Sequence, residues 1–192
     1  MSNLPVFAIS PKHTTLDFPA GWTLENKIDV FAARIEGWQI GIAKAIISKE
    51  IPHRGFALLH IVFSYFEMIG KYIHGYTGND QSGFYFRKGV RATFPEISPD
   101  EETFLKTLYS SVRNGLYHLG MTKINVMLRD DIPGSIGYNS ERKILAISPD
   151  RLVEDLDIRF HDDIAELQNP KNAQLRENFE KRFDYDNSET SL

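Results

Sequence analysis

The feature that most constrains the fold is a long apolar stretch near the middle of the chain, from Phe56 to Tyr76. Its apolar residues cover most of the circumference of an α-helix rather than one side of it. A helix of this kind is typically buried, because neighbouring elements must cover it on several sides. The sequence therefore predicts a helical bundle built around this segment, which lies between Pro52 and a polar, glycine-bearing loop from Gly75 to Gly83.

Amphipathic helices that can cover the central one are predicted on both sides of it. From Thr23 to about Lys49, apolar residues recur every three or four positions, which indicates a helix with one buried side. These residues are Leu24, Ile28, Phe31, Ile35, Trp38, Ile42, Ala45 and Ile46. A shorter helix, Phe84 to Phe94, ends before Pro95. The first segment, Met1 to Gly21, has three prolines and no period, so it is predicted to be an irregular arm.

The clearest local signal is the start of a fourth helix at Ser98-Pro99-Asp100-Glu101. These residues supply an N-cap, a first-turn proline and a capping-box glutamate. Gly120 is suited to end this helix, since glycine readily adopts the left-handed conformation of a C-terminal cap. The apolar positions between these limits keep helical spacing: Phe104, Leu105, Leu108, Val112, Leu116 and Leu119.

The next part of the chain changes character. Two short β-prone runs, Ile124 to Leu128 and Lys143 to Ile147, are separated by a Pro133-Gly134 turn and a segment rich in glycine and asparagine, so they predict a small hairpin. Ser148-Pro149-Asp150 then repeats the helix-start pattern, and a fifth helix is predicted up to Asn169-Pro170.

Together these patterns predict a mainly α fold, an up-and-down helical bundle with a small C-terminal β-hairpin and an additional helix. With 192 residues, the chain has the usual size of one domain. That domain is expected over residues 1–169, with the hairpin at about 122–148. Residues 170–192 are expected to form a C-terminal helical piece, marked by Leu175, Phe179 and Phe183, and an acidic tail that is frayed from Asp184 to Leu192.

The composition excludes several classes of protein. The chain has no cysteine, which excludes disulfides, thiolate zinc sites, iron–sulfur clusters and cysteine nucleophiles. The longest apolar run, Phe56 to Phe63, is interrupted by His60 and is far shorter than the roughly 20 residues that cross a bilayer. Met1 to Pro11 lacks the pattern of a secretion signal. The sequence therefore predicts no membrane span and a cytoplasmic location.

The net charge of −4 hides an uneven distribution. Residues 1–149 contain 16 Lys and Arg against 14 Asp and Glu, a net charge of +2. Residues 150–192 contain 6 against 12, a net charge of −6. The first three quarters of the chain can therefore hold a local basic site for a nucleic acid, although nothing indicates a strongly basic DNA-binding domain.

The segment Arg113-Asn114-Gly115-Leu116-Tyr117-His118 places polar groups late in the fourth helix. Asn114 and His118 are four residues apart and share one side of it. Arg113 and His118 are five apart, about 140° around an ideal helix. They converge only through the long arginine side chain or through a distortion that Gly115 permits.

This segment resembles the arginine, polar residue, short spacer and histidine signature of the HEPN superfamily, with Arg113, Asn114 and His118 in the three defining places. The resemblance extends to architecture, since the family has an up-and-down helical bundle with the motif on a late helix. Many members are metal-independent endoribonucleases of toxin–antitoxin or antiviral defence systems. The resemblance thus implies RNA as the substrate, and an antitoxin or other regulatory protein as a partner.

In those terms each motif residue has a chemical role. His118 would take the proton from a ribose 2′-hydroxyl, whose oxygen then attacks the adjacent phosphorus. Arg113 would neutralise the charge that builds on the phosphorane, and Asn114 would orient His118 or hold a phosphate oxygen. Since cleavage needs an acid and a base and the motif supplies one histidine, a symmetric homodimer is expected to bring two motifs together. This is also the usual arrangement in the family.

Other readings of the same residues stay open. Arg113 and His118 are also the residue types favoured at the negative C-terminal end of a helix dipole. In this alternative interpretation the motif is simply a fraying helix end. A non-catalytic HEPN-like module that binds RNA or nucleotide, or that mediates dimerisation, is the alternative function. The tyrosine that stands two places after the histidine in toxins regulated by nucleotide transfer is replaced here by Gly120.

A second candidate RNA-binding segment precedes the motif. Residues 84–91 interleave aromatic rings with Arg87, Lys88 and Arg91, a mixture that binds single-stranded RNA by stacking and phosphate contact. Tyr117 is the aromatic candidate within the motif. An ordinary amphipathic helix with these cations facing solvent has the same pattern. The sequence indicates no metal site and no cofactor, because it has no convincing histidine and carboxylate cluster and no phosphate loop or dinucleotide fingerprint.

Overall fold

The structure is a computed structural model that describes residues 6–95 and 101–188. These residues form a mainly α fold with a small sheet, as predicted. The α-helices are α1 (Leu24–Ile35), α2 (Gly41–Ser48), α3 (Gly55–His74), α4 (Ser82–Thr93), α5 (Glu101–Thr107), α6 (Asn114–Leu119), α7 (Pro149–Gln168) and α8 (Ala173–Asn187). Glu36–Ile40, the first π turn, joins α1 to α2, and Leu108–Arg113, the second π turn, joins α5 to α6. The strands are β1 (Val126–Leu128), β2 (Ile136–Asn139) and β3 (Ile144–Ile147).

The central helix predicted from the apolar stretch is α3, which packs against α2, α4, α6, α7 and α8. Its side chains that face these helices are fully buried, among them Leu58, Leu59, Val62, Phe63, Tyr65 and Phe66. Among the described residues, α3 is also the one helix that is long and apolar enough to cross a membrane, judged by length and composition alone. More than half of its apolar window is covered by the bundle, as in the core helix of a soluble protein.

The closest packing in the bundle is between α3 and α4. A Cβ atom on Gly70 of α3 would overlap the Tyr85 carbonyl oxygen of α4. A Cβ atom on Gly89 of α4 would likewise overlap the Phe66 carbonyl oxygen of α3. The two helices therefore approach with backbone against backbone, which only glycine allows at these positions.

The first π turn changes which side of the predicted first helix is buried. A regular helix would bury Trp38 and Ile42, but these side chains are 50% and 49% exposed. Ile35 is buried and the next buried positions are Ile40 and Ala43. The step of five residues from 35 to 40 matches the wider π turn, because one extra residue per turn rotates all later side chains around the helix axis. The expectation that Trp38 and Ile42 face the core is therefore wrong.

The sheet contains a hairpin, but the prediction that the two β-prone runs form it is wrong, because these runs pair in parallel. β2 and β3 pair antiparallel, with Ile136 opposite Ile147. β1, from the first β-prone run, adds to the other edge of β3 in parallel, so the strand order is β1-β3-β2. The glycine- and asparagine-rich segment is predicted as a connection between the two runs. In the structure it supplies β2 and the turn from β2 into β3.

The C-terminal helix shares the core of the bundle. Phe179 and Phe183 of α8 are buried, and Phe179 packs on Phe31 of α1 with ring centroids 5.3 Å apart. Lys27 of α1 forms ion pairs with Glu180 and Asp184 at 2.7 Å each. The prediction that the chain frays from Asp184 is therefore wrong for the first four residues, since α8 continues to Asn187.

The start signal of the fourth helix lies mostly outside the described residues. Ser98, Pro99 and Asp100 are in the undescribed range, and Glu101 is the first described residue of α5. The predicted end is confirmed, because Gly120 caps α6 with φ of +72°.

The contact between α3 and α4 generates a stability prediction. Gly89→Ala should lower the free energy of unfolding by at least about 2 kcal/mol, because the new methyl group overpacks against the α3 backbone. This loss should appear although alanine is the better helix former by about 1 kcal/mol. Urea denaturation measures the change, with Gly134→Ala as the control, since nothing lies within 4 Å of a Cβ there. If Gly89→Ala leaves the urea midpoint unchanged, the close contact between the α3 and α4 backbones is contradicted.

Candidate functional site

The second π turn and α6 position the candidate motif. Arg113 is the last residue of the π turn, and Asn114 begins α6. A Cβ atom on Gly115 would lie 2.6 Å from the carbonyl oxygen of Met121, so the chain folds back over Gly115. The backbone N–H of Lys123 donates to the Ser111 carbonyl at 2.9 Å and fixes this return. The distortion expected at Gly115 is thus found in the preceding turn, and Gly115 is needed for close packing instead.

Arg113 points back to the central helix. Its Nη2 donates to Oε2 of Glu67 at 2.8 Å, and both side chains are only 17% exposed. The guanidinium also lies over the rings of Tyr117 and Tyr109, 4.5 Å and 5.6 Å from their centroids. The described residues show no hydrogen bond, ion pair or ring contact between Arg113 and His118.

Glu67 is the centre of a small polar cluster that the sequence did not single out. Besides Arg113, it accepts from Nζ of Lys71 at 2.9 Å and from Oγ of Ser82 at 2.7 Å. Burial raises the pKa of Glu67, but the hydrogen bonds from Lys71, Ser82 and Arg113 and the charge of Lys71 outweigh it, so the pKa lies below its usual value. The four-residue spacing of Glu67 and Lys71 on a helix is the local signal that can identify part of this cluster.

His118 and Asn114 lie on α6 one turn apart. His118 is exposed, and its side chain has no hydrogen bond or ion pair with a described residue. Asn114 is half-buried. An exposed imidazole can exchange protons with a bound molecule, so His118 is open to the role that the motif predicts. His118 also lies in the last turn of α6, as the alternative interpretation of the motif as a helix end expects.

Tyr117 connects the motif to a second histidine. Its ring contacts that of His60 on α3, with centroids 5.8 Å apart in an edge-on arrangement. Burial raises the pKa of the Tyr117 hydroxyl. No local pattern places His60 at the motif, because the two lie far apart along the chain and only the packing of α3 against α6 joins them.

Large apolar side chains are exposed at the start of α3 and in the part of the chain that follows the motif. We call this set the apolar rim: Phe56, Leu119, Met121, Ile124 and Met127. Ile124 is fully exposed. Where such side chains form a contiguous surface, they commonly mark an interaction site.

The three cations of the second candidate RNA-binding segment contact other side chains of the same chain. Arg91 forms ion pairs with Glu101 and Glu102 of α5, and Arg87 lies 4.0 Å from Glu102. Lys88 lies over the ring of Phe84, 5.5 Å from its centroid. These contacts favour the interpretation as an ordinary amphipathic helix. Within the described ranges, no group of three His, Cys, Asp or Glu is arranged to hold a metal ion.

Comparison with models of protein families, with curated proteins and with solved structures finds no match for this chain.

The ion pair between α6 and α3 generates a prediction about the motif. A double-mutant cycle of Arg113→Ala and Glu67→Ala should give a coupling energy of about 1–2 kcal/mol, because the pair is largely shielded from water. The lowered pKa of Glu67 means that this coupling is present above pH 4.5 and is lost as the pH falls through the lowered value.

The matched control is the exposed pair Arg129 and Asp131, whose coupling should not exceed about 0.5 kcal/mol. Urea denaturation at pH 7 and at pH 3 measures both cycles. Equal coupling in the two cycles would show that Glu67 does not hold Arg113.

Proposed function

We propose that this protein is a metal-independent endoribonuclease of the HEPN type. The observation that carries the proposal is the exposed His118 on the short helix that follows a firmly held Arg113. Cleavage by a neighbouring hydroxyl requires an accessible proton acceptor and a fixed cation, and the motif supplies one of each. The resemblance of the motif to the HEPN signature supports the choice of RNA as the substrate.

The charge of the polar cluster is compatible with binding a phosphate. Arg113 and Lys71 carry two positive charges, while Glu67 carries one negative charge, so the cluster keeps a net charge of +1. Glu67 accepts from one nitrogen of Arg113, and the described residues show no hydrogen bond for the other guanidinium donors, which we expect to bind a phosphate oxygen. Glu67 thus acts as a positioning residue that restricts the rotation of Arg113.

The proposed reaction is an internal transesterification. His118 takes the proton of the 2′-hydroxyl, the 2′-oxygen forms a bond to phosphorus, and the bond from phosphorus to the 5′-oxygen breaks. The leaving 5′-oxygen takes a proton, so the products carry a 2′,3′-cyclic phosphate and a 5′-hydroxyl. Candidate acids are His118 of a second protomer and His60, which contacts Tyr117 within the same chain.

A homodimer is part of this proposal. Most of the apolar rim directly follows His118 along the chain, and we expect its burial between two copies to bring two His118 side chains towards one groove. A role in a toxin or defence system and an antitoxin or regulatory partner belong to the proposal through the family resemblance alone. A cytoplasmic location belongs to it as the prediction made from the sequence.

One observation favours the alternative function. Arg113 is paired with Glu67 and makes no contact with His118, as expected if the motif binds RNA or nucleotide without cleaving it. The two functions separate experimentally, since the non-catalytic module binds RNA but leaves it intact.

Cleavage of a labelled RNA in the presence of EDTA tests the main proposal. His118→Ala should reduce the rate by about 100- to 10,000-fold and Arg113→Ala by about 100- to 1,000-fold, without loss of melting temperature for His118→Ala. His161→Ala, on an exposed histidine of α7, is the matched control and should keep full activity. RNA bound but intact would favour the non-catalytic module, and activity that EDTA abolishes would contradict the metal-independent mechanism.

The dimer has its own test by sedimentation at micromolar concentration. Ile124→Asp should convert the dimer to a monomer and reduce cleavage, because the charge is placed in the middle of the apolar rim. Ile158→Asp, at another exposed apolar position, on α7, should change neither the oligomeric state nor the cleavage rate. A wild-type monomer with full activity would disprove the shared groove.

A further inference from the structure

Strand β1 lies at one edge of the sheet, where it has β3 as its single neighbour. The carbonyl of Asn125 accepts from β3 and the N–H of Arg129 donates to it, each at 2.9 Å, so the pairing continues one residue beyond β1 at both ends. Backbone groups of successive residues point to opposite sides of a strand. The N–H and carbonyl groups of Val126 and Leu128 therefore point away from β3, towards the open edge.

This edge carries unused hydrogen-bond groups. The N–H of Val126 donates to the Lys123 carbonyl at 3.1 Å. The carbonyl of Val126 and both backbone groups of Leu128 make no hydrogen bond within the described part of the chain. Natural proteins commonly block such an edge with a charge or a proline, or cover it with another element. The run Ile124 to Leu128 contains neither a charge nor a proline, so covering is the remaining protection.

The side chains at this edge are also suited to being covered. Met127 is 43% exposed, and Ile124, directly before β1, is fully exposed. Val126 and Leu128 are half-buried and pack against the core of the bundle. Exposed apolar side chains beside unpaired backbone groups indicate that a further strand is added here.

The strand β1 of a second copy fits this edge, because β1 is complementary to itself in one antiparallel register. With a two-fold axis at Met127, the N–H of each Leu128 faces the carbonyl of Val126 in the other copy. Met127 then lies opposite Met127, and Val126 opposite Leu128, so that every apolar side chain of β1 meets an apolar one. An axis at Leu128 would instead place Met127 opposite the charged Arg129.

The charges that flank β1 favour the same antiparallel arrangement. Lys123 precedes the strand, whereas Arg129, Asp130 and Asp131 follow it with one positive and two negative charges, and all four residues are exposed. Antiparallel pairing brings the beginning of one strand beside the end of the other, so Lys123 approaches a net negative charge. Parallel pairing would bring two Lys123 side chains together.

We propose that β1 pairs antiparallel with β1 of a second copy about a two-fold axis at Met127, which joins the two sheets into one. The proposal rests on the homodimer of the proposed function and names the surface that forms it, but the pairing itself does not require RNA cleavage. The segment that leads into β1 packs on the motif, since a Cβ atom on Gly115 would lie 2.6 Å from the Met121 carbonyl oxygen. The interface is thereby linked directly to the motif.

Single-cysteine variants test the register, because the chain has no cysteine of its own. Met127→Cys places two thiols at the axis, where the Cα atoms of opposite residues are about 4.5 Å apart, within the range of a disulfide. Ile124→Cys is the matched control on the same exposed edge. It is three residues from the axis in each copy, so its two Cα atoms are more than about 10 Å apart.

The full chain of each variant is oxidised with diamide at micromolar concentration and analysed on a non-reducing gel. Met127→Cys should give a disulfide-linked dimer at least about tenfold faster than Ile124→Cys. No linked dimer with Met127→Cys, or equally fast linkage of the two variants, would overturn the proposed register.

Met127→Lys tests the interface without oxidation. It sets two like charges opposite each other at the axis, so the dissociation constant of the dimer, measured by sedimentation, should rise at least about fivefold. Ile158→Lys, exposed on α7, is the control and should leave the dissociation constant unchanged. Circular dichroism shows that each variant is folded.

The outcomes separate this proposal from the ribonuclease activity. A wild-type monomer, or a dimer that Met127→Lys does not weaken, would overturn the edge pairing, whatever the rate of RNA cleavage. A dimer that Met127→Lys weakens and Met127→Cys links would support the pairing, even if the wild-type protein left RNA intact and so contradicted the ribonuclease.

Discussion

The burial of α3 on several sides is the constraint on which the rest of the structure depends. The second π turn and α6 place the motif against His60 and Glu67 of this helix. The glycines of α3 and α4 allow the two backbones to touch, and Ser82 at the start of α4 donates to Glu67. A single apolar helix therefore positions the residues around the candidate motif.

Glu67 illustrates how such a core accommodates charge. An isolated carboxylate at this depth is costly, but hydrogen bonds from Lys71, Ser82 and Arg113 more than compensate, and the pKa of Glu67 falls below its usual value. The same contacts fix Arg113 at the base of α6. The ion pair between Arg113 and Glu67 thus contributes to stability and holds a residue of the proposed chemistry. A variant of Glu67 should therefore change both the free energy of unfolding and the rate of cleavage.

The two π turns have a common physical effect and different consequences. Each widens the helix by one residue per turn and so rotates the side chains that follow. The first turn moves Trp38 and Ile42 to the surface, while the second ends at Arg113 and sets the direction from which α6 begins. Such turns are frequent at functional sites, and the second adjoins the candidate motif.

The sequence by itself determined the elements of this protein, because apolar periodicity and caps are local properties. It predicted the central helix, the positions of α7 and α8 and the end of α6 at Gly120. The exposure of His118 is decided only by the tertiary structure. Only the tertiary structure decided the pairing of β1 with β3, the π turns, the contact of His60 with Tyr117 and the ion pair between Arg113 and Glu67. Arg113 and Glu67 are 46 residues apart, and no local spacing encodes a contact that exists only when two helices pack.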